Sequence, residues 1–305
     1  MQRSSQRAAS LRKALPLLAA LAALASPAPA SAHVRTGAVA VDYRVRVFST
    51  RLPLTAHVYL GDRALRLSVR PGHSVTVLGY GGEPFLRIDD SGVTVTRSPT
   101  AGALGLTPRH TSGRSFVWHD ARVRGLPPGI DRGRWTIPLL VDGRRARLAG
   151  ELLRIEAPPV WPWLALGLPF AVTTALVLLR RALLEHAAIA LGVLAGAATI
   201  VTAAAFAFAL NASEGRWVEA GNEAVFALVG LAVVARGSSD ARVTAAGALG
   251  LLALAAALTK LPVFLHGVVL SALPATPARA AVALTIWIGA AATALGLVLF
   301  AEVLE

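Results

Sequence analysis

Two groups of side chains in this 305-residue sequence have the types and spacing to do chemistry. The first is His33, His119 and Asp120. Imidazole nitrogens and carboxylate oxygens suit Zn(II) or Cu(II), and three such donors suffice for a metal site with open positions. Ala30-Ser31-Ala32 has the small-residue form of a secretory cleavage site, and cleavage after it starts the mature chain at His33. A terminal histidine carries an amine and an imidazole together, a chelating pair for a divalent ion such as Cu(II). Neighbours on a strand point to opposite faces, so His119 and Asp120 act on one ligand only at a strand end. The plainer alternative is a strand-end histidine with Trp118 in the core.

The second group is Glu219, Asn222, Glu223, Lys260 and His266. Glu219, Asn222, Glu223 and Phe226 follow i, i+3, i+4, i+7 spacing, which on a helix gives one shared face. They sit at the start of an apolar stretch, where a carboxylate is costly and turns to a bundle interior or a wet cavity. At 1.5 Å per residue Glu223 lies roughly 9 Å along the axis from Trp217. The next apolar stretch runs back, and carries Lys260 roughly 25 Å from Val243. Both ends therefore meet on one side, with His266 close by. Such a cluster is either a Glu-Lys pair with interfacial solvation or a site for a ligand, proton or ion.

The elements that must position these groups change character at Pro158-Pro159. Hydrophobic residues make up 55% of the chain and charged residues only 15%, too apolar for an ordinary soluble protein. Most of the charge precedes the break. Arg3, Arg7, Arg12 and Lys13, the apolar run Ala14 to Ala25 and the small residues to Ala32 give residues 1–32 the three-part layout of a signal peptide. Residues 33–158 then alternate apolar with polar between turn signals such as Pro71-Gly72 and Asp142-Gly143. Strands are predicted over 39–48, 56–60, 64–69, 74–78, 85–88, 93–96, 116–119, 135–141 and 146–155. Eight or nine short strands at that spacing predict an all-β immunoglobulin-like sandwich outside the membrane. The stretch 97–114, rich in Gly, Ser, Thr and Pro, reads as a long loop.

Residues 159–305 read as an all-α transmembrane bundle of about five helices, over 161–179, 187–210, 217–235, 243–258 and 281–303. Leu261 to Leu273 is broken by Pro262 and followed by Pro274 and Pro277, which predicts an interfacial or re-entrant half-helix; a kinked extension of the fourth span is the alternative. Export of residues 33–158 puts Arg180-Arg181 and the loop Arg236 to Arg242 in the cytoplasm, as the positive-inside rule requires. The expected location is a bacterial cytoplasmic membrane with the C-terminus inside. Trp161, Trp163 and Trp217 then mark the outer interface, and the spacing of Gly192 and Gly196 marks close helix packing.

The net charge of +13 comes from arginines spread over many strands with no interleaved aromatic patch, so nucleic acid is not an expected partner. The expected partners are the lipid bilayer and an envelope or membrane protein. Cysteine is absent and Met1 is the sole methionine, which excludes disulfides, thiolate sites and a thioether Cu(I) site. No GxSxG, HExxH, P-loop or strand-to-helix GxGxxG occurs, so no enzymatic reaction is indicated.

An exported sandwich opening at His33 and tethered to a multi-span domain resembles the copper-resistance CopC-type domain fused to a CopD-type membrane partner. The resemblance implies Cu(II) as the ion, held by His33, His119 and Asp120. It departs from that family in lacking a Pro-rich opening after the first histidine and in the spacing of His119 to Asp120. The function expected is a non-enzymatic binding or accessory protein, concerned with metal handling. Two alternatives stand beside it: a small-solute or proton-coupled transporter, and an envelope scaffold that binds another protein.

Overall fold

The computed structural model describes residues 38–48, 51–60, 64–97, 109–123, 126–209 and 216–304. The expected signal peptide and His33 lie outside the described residues.

The N-terminal half is built of antiparallel strands: β1 (Ala40–Val41), β2 (Tyr43–Val47), β3 (Leu54–Tyr59), β4 (Ala64–Val69), β5 (Val75–Leu78), β6 (Pro84–Asp89), β7 (Gly92–Val95), β8 (Arg109–Thr111), β9 (Ser115–His119), β10 (Arg132–Val141) and β11 (Arg144–Arg154). A seven-stranded sheet runs β2-β11-β10-β5-β6-β7-β8, and a three-stranded sheet runs β3-β4-β9. Their apolar faces share one core, in which Leu65, Leu67, Phe85, Ile88, Ile137 and Leu148 are fully buried. Alternation places them there: Trp135, Ile137, Leu139 and Val141 of β10 are buried, while Arg132, Arg134 and Thr136 between them are exposed. Asp142 and Gly143, both at positive φ, close the β10–β11 hairpin in the backbone conformation that two-residue hairpin turns need. Strand β8 falls within the stretch expected as a long loop and pairs with β7.

The C-terminal half contains α1 (Trp161–Ala165), α2 (Leu168–Leu179), α3 (Leu184–Ala207), α4 (Arg216–Arg236), α5 (Ser239–Leu258) and α6 (Ala275–Leu304). Five helical stretches are long and apolar enough to cross a membrane: Trp161–Leu179, Arg181–Ala207, Trp217–Arg236, Ser239–Leu258 and Ala275–Glu302. They lie where the hydropathy predicts, except that the second and the last each start about six residues earlier; in the last, Pro277 sits in a first helical turn where a missing N–H costs nothing. Helices α3 and α5 pack on each other, with α4 against both and α6 against both; α1 and α2 lie on α6. Leu164, Leu168, Val172, Leu176, Val225 and Leu228 point outward, an apolar surface compatible with lipid. Gly192 and Gly196 do lie at a close helix crossing: a Cβ on Gly192 would come 2.5 Å from the Ala246 Cα.

The two ends of the bundle differ. Arg181 pairs with Glu302 at 2.6 Å, and the Ser239 hydroxyl donates to Glu185, at the end away from the strands. At the other end Leu261 to Leu273 does not form the half-helix the sequence suggests. It makes a 3-10 turn, Leu261–Phe264, and then a short strand, β12 (Val268–Val269), which pairs antiparallel with β1. Helix is not sustained because Pro262 and Pro274 bracket the segment and β1 offers its backbone partners instead. The expected single strand Val39 to Phe48 is accordingly divided at Asp42, with β1 serving β12 and β2 serving the large sheet. The two halves also exchange side chains: Leu270 is buried in the strand core, and Val39 and Ala40 are buried among Ala205, Phe206, Val263 and Val282. Gly267 fits beneath this junction because any Cβ there would strike the Ile155 carbonyl.

Candidate functional site: a buried charge pair beneath the strand domain

Helix α4 carries Glu223 about two turns in, and α5 ends beside it. After Leu258 the Thr259 hydroxyl donates to Ala256 O, and the chain turns at Lys260. The Lys260 side chain folds back, so that Nζ donates to Glu223 Oε1 at 2.7 Å and to Ala256 O at 2.8 Å. Ala256 O belongs to the last turn, where carbonyls lack intrahelical partners and a cation is favoured by the helix dipole. Lys260 is 4% exposed and Glu223 is 9% exposed, so the pair is removed from solvent. Glu223 Oε2 has no hydrogen-bond partner among the described residues. The pair borders a small cleft that is also lined by Val39, Ala203, Phe206, Ala207, Glu219 and Ala220. The cleft offers about 20 Å³ to the centre of a water molecule, room for roughly one.

The five residues expected to cluster are only partly brought together. Glu219 lines the rim of the cleft and is exposed. Asn222 is exposed and takes no part, since one residue on a helix turns the side chain about 100° away from Glu223. The inward face of α4 runs instead through Ala220, Glu223 and Ala227. His266 is drawn off to the strand domain, where its Nδ1 lies 2.7 Å from Asp42 Oδ1. Arg279, which no spacing argument singled out, is buried and donates to Val263 O at 2.7 Å, His266 O at 2.8 Å and Gly267 O at 3.1 Å. Its five N–H donors fix the turn that delivers β12.

The chain matches no protein-family model, no curated protein and no solved structure. What its side chains do is therefore read from geometry.

Of the residues expected to hold a metal, Asp120 is engaged elsewhere. His119 is the exposed last residue of β9 and Asp120 follows in the turn, 2% exposed. Asp120 Oδ2 accepts from Trp118 Nε1 at 3.0 Å and from Arg122 Nη2 at 2.7 Å, while Oδ1 accepts from the Arg122 backbone and Nε. Burial alone would raise this carboxyl, but the bonds from Arg122 and Trp118 outweigh it and hold it below the usual carboxylate range. Arg122 in turn reaches Leu78 O and lies over the Tyr80 ring, so the group staples the β9 end to β5. His110 contacts Thr94 and Ser91 O rather than His119. Among the described residues no three His, Asp or Glu side chains gather as metal ligands would.

Of the junction residues, one run left a faint mark in the sequence and Arg279 left none. Val39, Ala40 and Val41 are three consecutive apolar residues ahead of a strictly alternating run, as suits a strand covered on both faces. Arg279 is a lone charge ahead of an apolar stretch, and nothing local distinguishes it from an ordinary flanking arginine.

Proposed function

We propose that this chain is a non-enzymatic accessory protein of the bacterial cytoplasmic membrane. In this reading an immunoglobulin-like sandwich outside the membrane is carried rigidly on five spanning helices, and the Glu223–Lys260 pair senses or binds at their junction. The observation that carries it is the shared wall of the cleft. Val39, just ahead of β1, lines it together with Glu219 and Glu223 of α4 and Lys260 just past the end of α5. The β1–β12 ladder, the Asp42–His266 contact and the three bonds from Arg279 make that wall part of one body. A change in the charge pair is thereby transmitted to the sandwich without a flexible tether.

The size of the cleft favours a proton, a water or a small cation over an organic solute. The charges at the far end of the bundle, Arg180, Arg181, Arg236 and Arg242, support a cytoplasmic assignment for that end. Full-length protein in nanodiscs tests the coupling by hydrogen exchange. Lys260→Met should increase exchange at Leu270, whose N–H donates to Val39 O at 2.8 Å. Unchanged protection there refutes a coupled site. Proteoliposomes with an imposed pH gradient test the transporter alternative: proton flux abolished by Glu223→Gln would replace the accessory reading, and no protein-dependent flux is expected.

A further inference from the structure

The register of the seven-stranded sheet assembles a basic surface that the sequence disperses. On its outer face Glu151 of β11 stands opposite Arg46 of β2 and Arg134 of β10, and Leu153 stands opposite Arg44 and Arg132. Alternation turns all six to the side away from the core, and the four arginines are exposed. One carboxylate thus lies among four guanidinium groups. It does not saturate them: Arg46 and Arg132 reach Glu151 only at 3.8 and 3.9 Å, while the side chains of Arg44 and Arg134 have no hydrogen bond or ion pair among the described residues. Arginine forks of this kind match phosphate oxygens bidentately.

The place of the quartet selects the source of the phosphate. Ile155, two residues beyond Leu153, donates to Asp42 O, and its carbonyl rests on Gly267 of the connector between α5 and α6. At 3.3 Å per residue, Arg44 and Arg132 stand roughly 7 Å and Arg46 and Arg134 roughly 13 Å above that connector. The first pair is within one Debye length, about 8 Å, of a headgroup layer surrounding the bundle. Leu153 between them adds an apolar contact. We propose that this arginine quartet is a docking surface for the anionic phosphate headgroups of the membrane in which the helices sit, holding the sandwich down on the lipid. The proposal rests on membrane insertion of the helices but on neither the sidedness nor the accessory role.

Full-length protein is reconstituted in nanodiscs of phosphatidylcholine with phosphatidylglycerol, extracted in mild detergent, and its retained lipid measured by mass spectrometry. Phosphatidylglycerol should be enriched roughly fivefold over the bulk mixture and lose that enrichment in high salt. Arg44→Gln/Arg46→Gln/Arg132→Gln/Arg134→Gln with Glu151→Gln, which leaves no orphaned carboxylate, should abolish it. Arg44→Glu alone, at a site without an ion pair, should lower it with no effect on folding. Arg145→Gln/Arg147→Gln, on the same face farther along β11, should leave it intact. Equal enrichment in wild type and the neutralised variants overturns the proposal. Binding of a soluble polyanion, tested with heparin, that depends on the quartet while lipid enrichment does not also overturns it, in favour of an acidic polymer. Failure of the protein to enter nanodiscs at all would instead refute the membrane reading beneath it.

Discussion

Replacing Lys260 by methionine is the most exacting perturbation of the buried pair. At 2.7 Å and an effective dielectric near 20, the gross attraction between Lys260 and Glu223 is on the order of 6 kcal/mol. Desolvation of the two ions offsets most of it, so the intact pair adds little net stability. Removing one member is another matter, because the other stays buried. Without Lys260 the Glu223 carboxylate loses the donor to Oε1 while Oε2 is already without one, so Lys260→Met should cost about 3–5 kcal/mol. Glu223→Gln should cost less, about 1–3 kcal/mol, since Nζ keeps Ala256 O and the amide oxygen still accepts. The double change Glu223→Leu/Lys260→Met should return to within about 1–2 kcal/mol of wild type, because an apolar pair carries no desolvation debt. A double-mutant cycle on full-length protein in detergent, read by denaturant-dependent Trp fluorescence, measures all three. If Lys260→Met costs no more than the double variant, the two groups are not a mutually dependent buried pair and the coupled site falls.

Arg279→Lys should raise hydrogen exchange across β12, because a single ammonium cannot span the three carbonyls that the planar guanidinium reaches; unchanged protection would leave Arg279 without that role. Gly192→Val should destabilise the bundle by about 1–3 kcal/mol or more through its clash with Ala246, whereas Gly221→Ala, with open space around the new methyl, should stabilise α4 by about 0.5–1 kcal/mol. Thermal scans of both variants in detergent check the contrast. Asp120→Asn should cost about 1.5–3 kcal/mol of charge-assisted hydrogen bonding. Since the folded carboxyl lies below its ordinary value near 3.9, that contribution is complete above about pH 5 and is lost as the pH falls below 4. The stability difference between wild type and Asp120→Asn should accordingly be flat from pH 5 to 8 and shrink in acid; a difference that grows in acid would contradict the assignment.

Periodicity carried the broad architecture. Strands such as Ala64–Val69 and the helical spans are legible because alternation and long apolar runs are properties of contiguous residues. The charge pair was legible for the same reason: Glu223 and Lys260 are expensive residues in apolar context, and antiparallel helices bring their ends together. Asn222 was misassigned because i+3 spacing from Glu219 admits a face about 100° wide, and packing of Ala220 and Ala227 decided which part turns inward. The junction was not legible. Val268–Val269 is two residues long, and its partner lies at the far end of the sequence, so no local pattern distinguishes it from coil. The same holds for the arginine quartet, which exists only once the β2–β11–β10 register is set. The Asp120 contacts with Arg122 and Trp118 depend on side-chain rotamers, which spacing does not encode.

The β1–β12 ladder also bears on how the molecule is made. Asp42 and His266 are 224 residues apart, so at about 5–20 residues per second β1 is synthesised roughly 10–45 s before its partner exists. Through that interval the sheets can fold, since their pairings all lie within residues 43–154, but Val39 and Ala40 lack the helix residues that cover them and β1 lacks its backbone partner. Closing the first strand therefore waits on synthesis of the helices as far as Arg279. A chain truncated before Val268 would display its defect at the opposite terminus, as an open apolar edge of the kind that pairs with another chain. The ladder makes completeness of the C-terminal half readable from the N-terminal one.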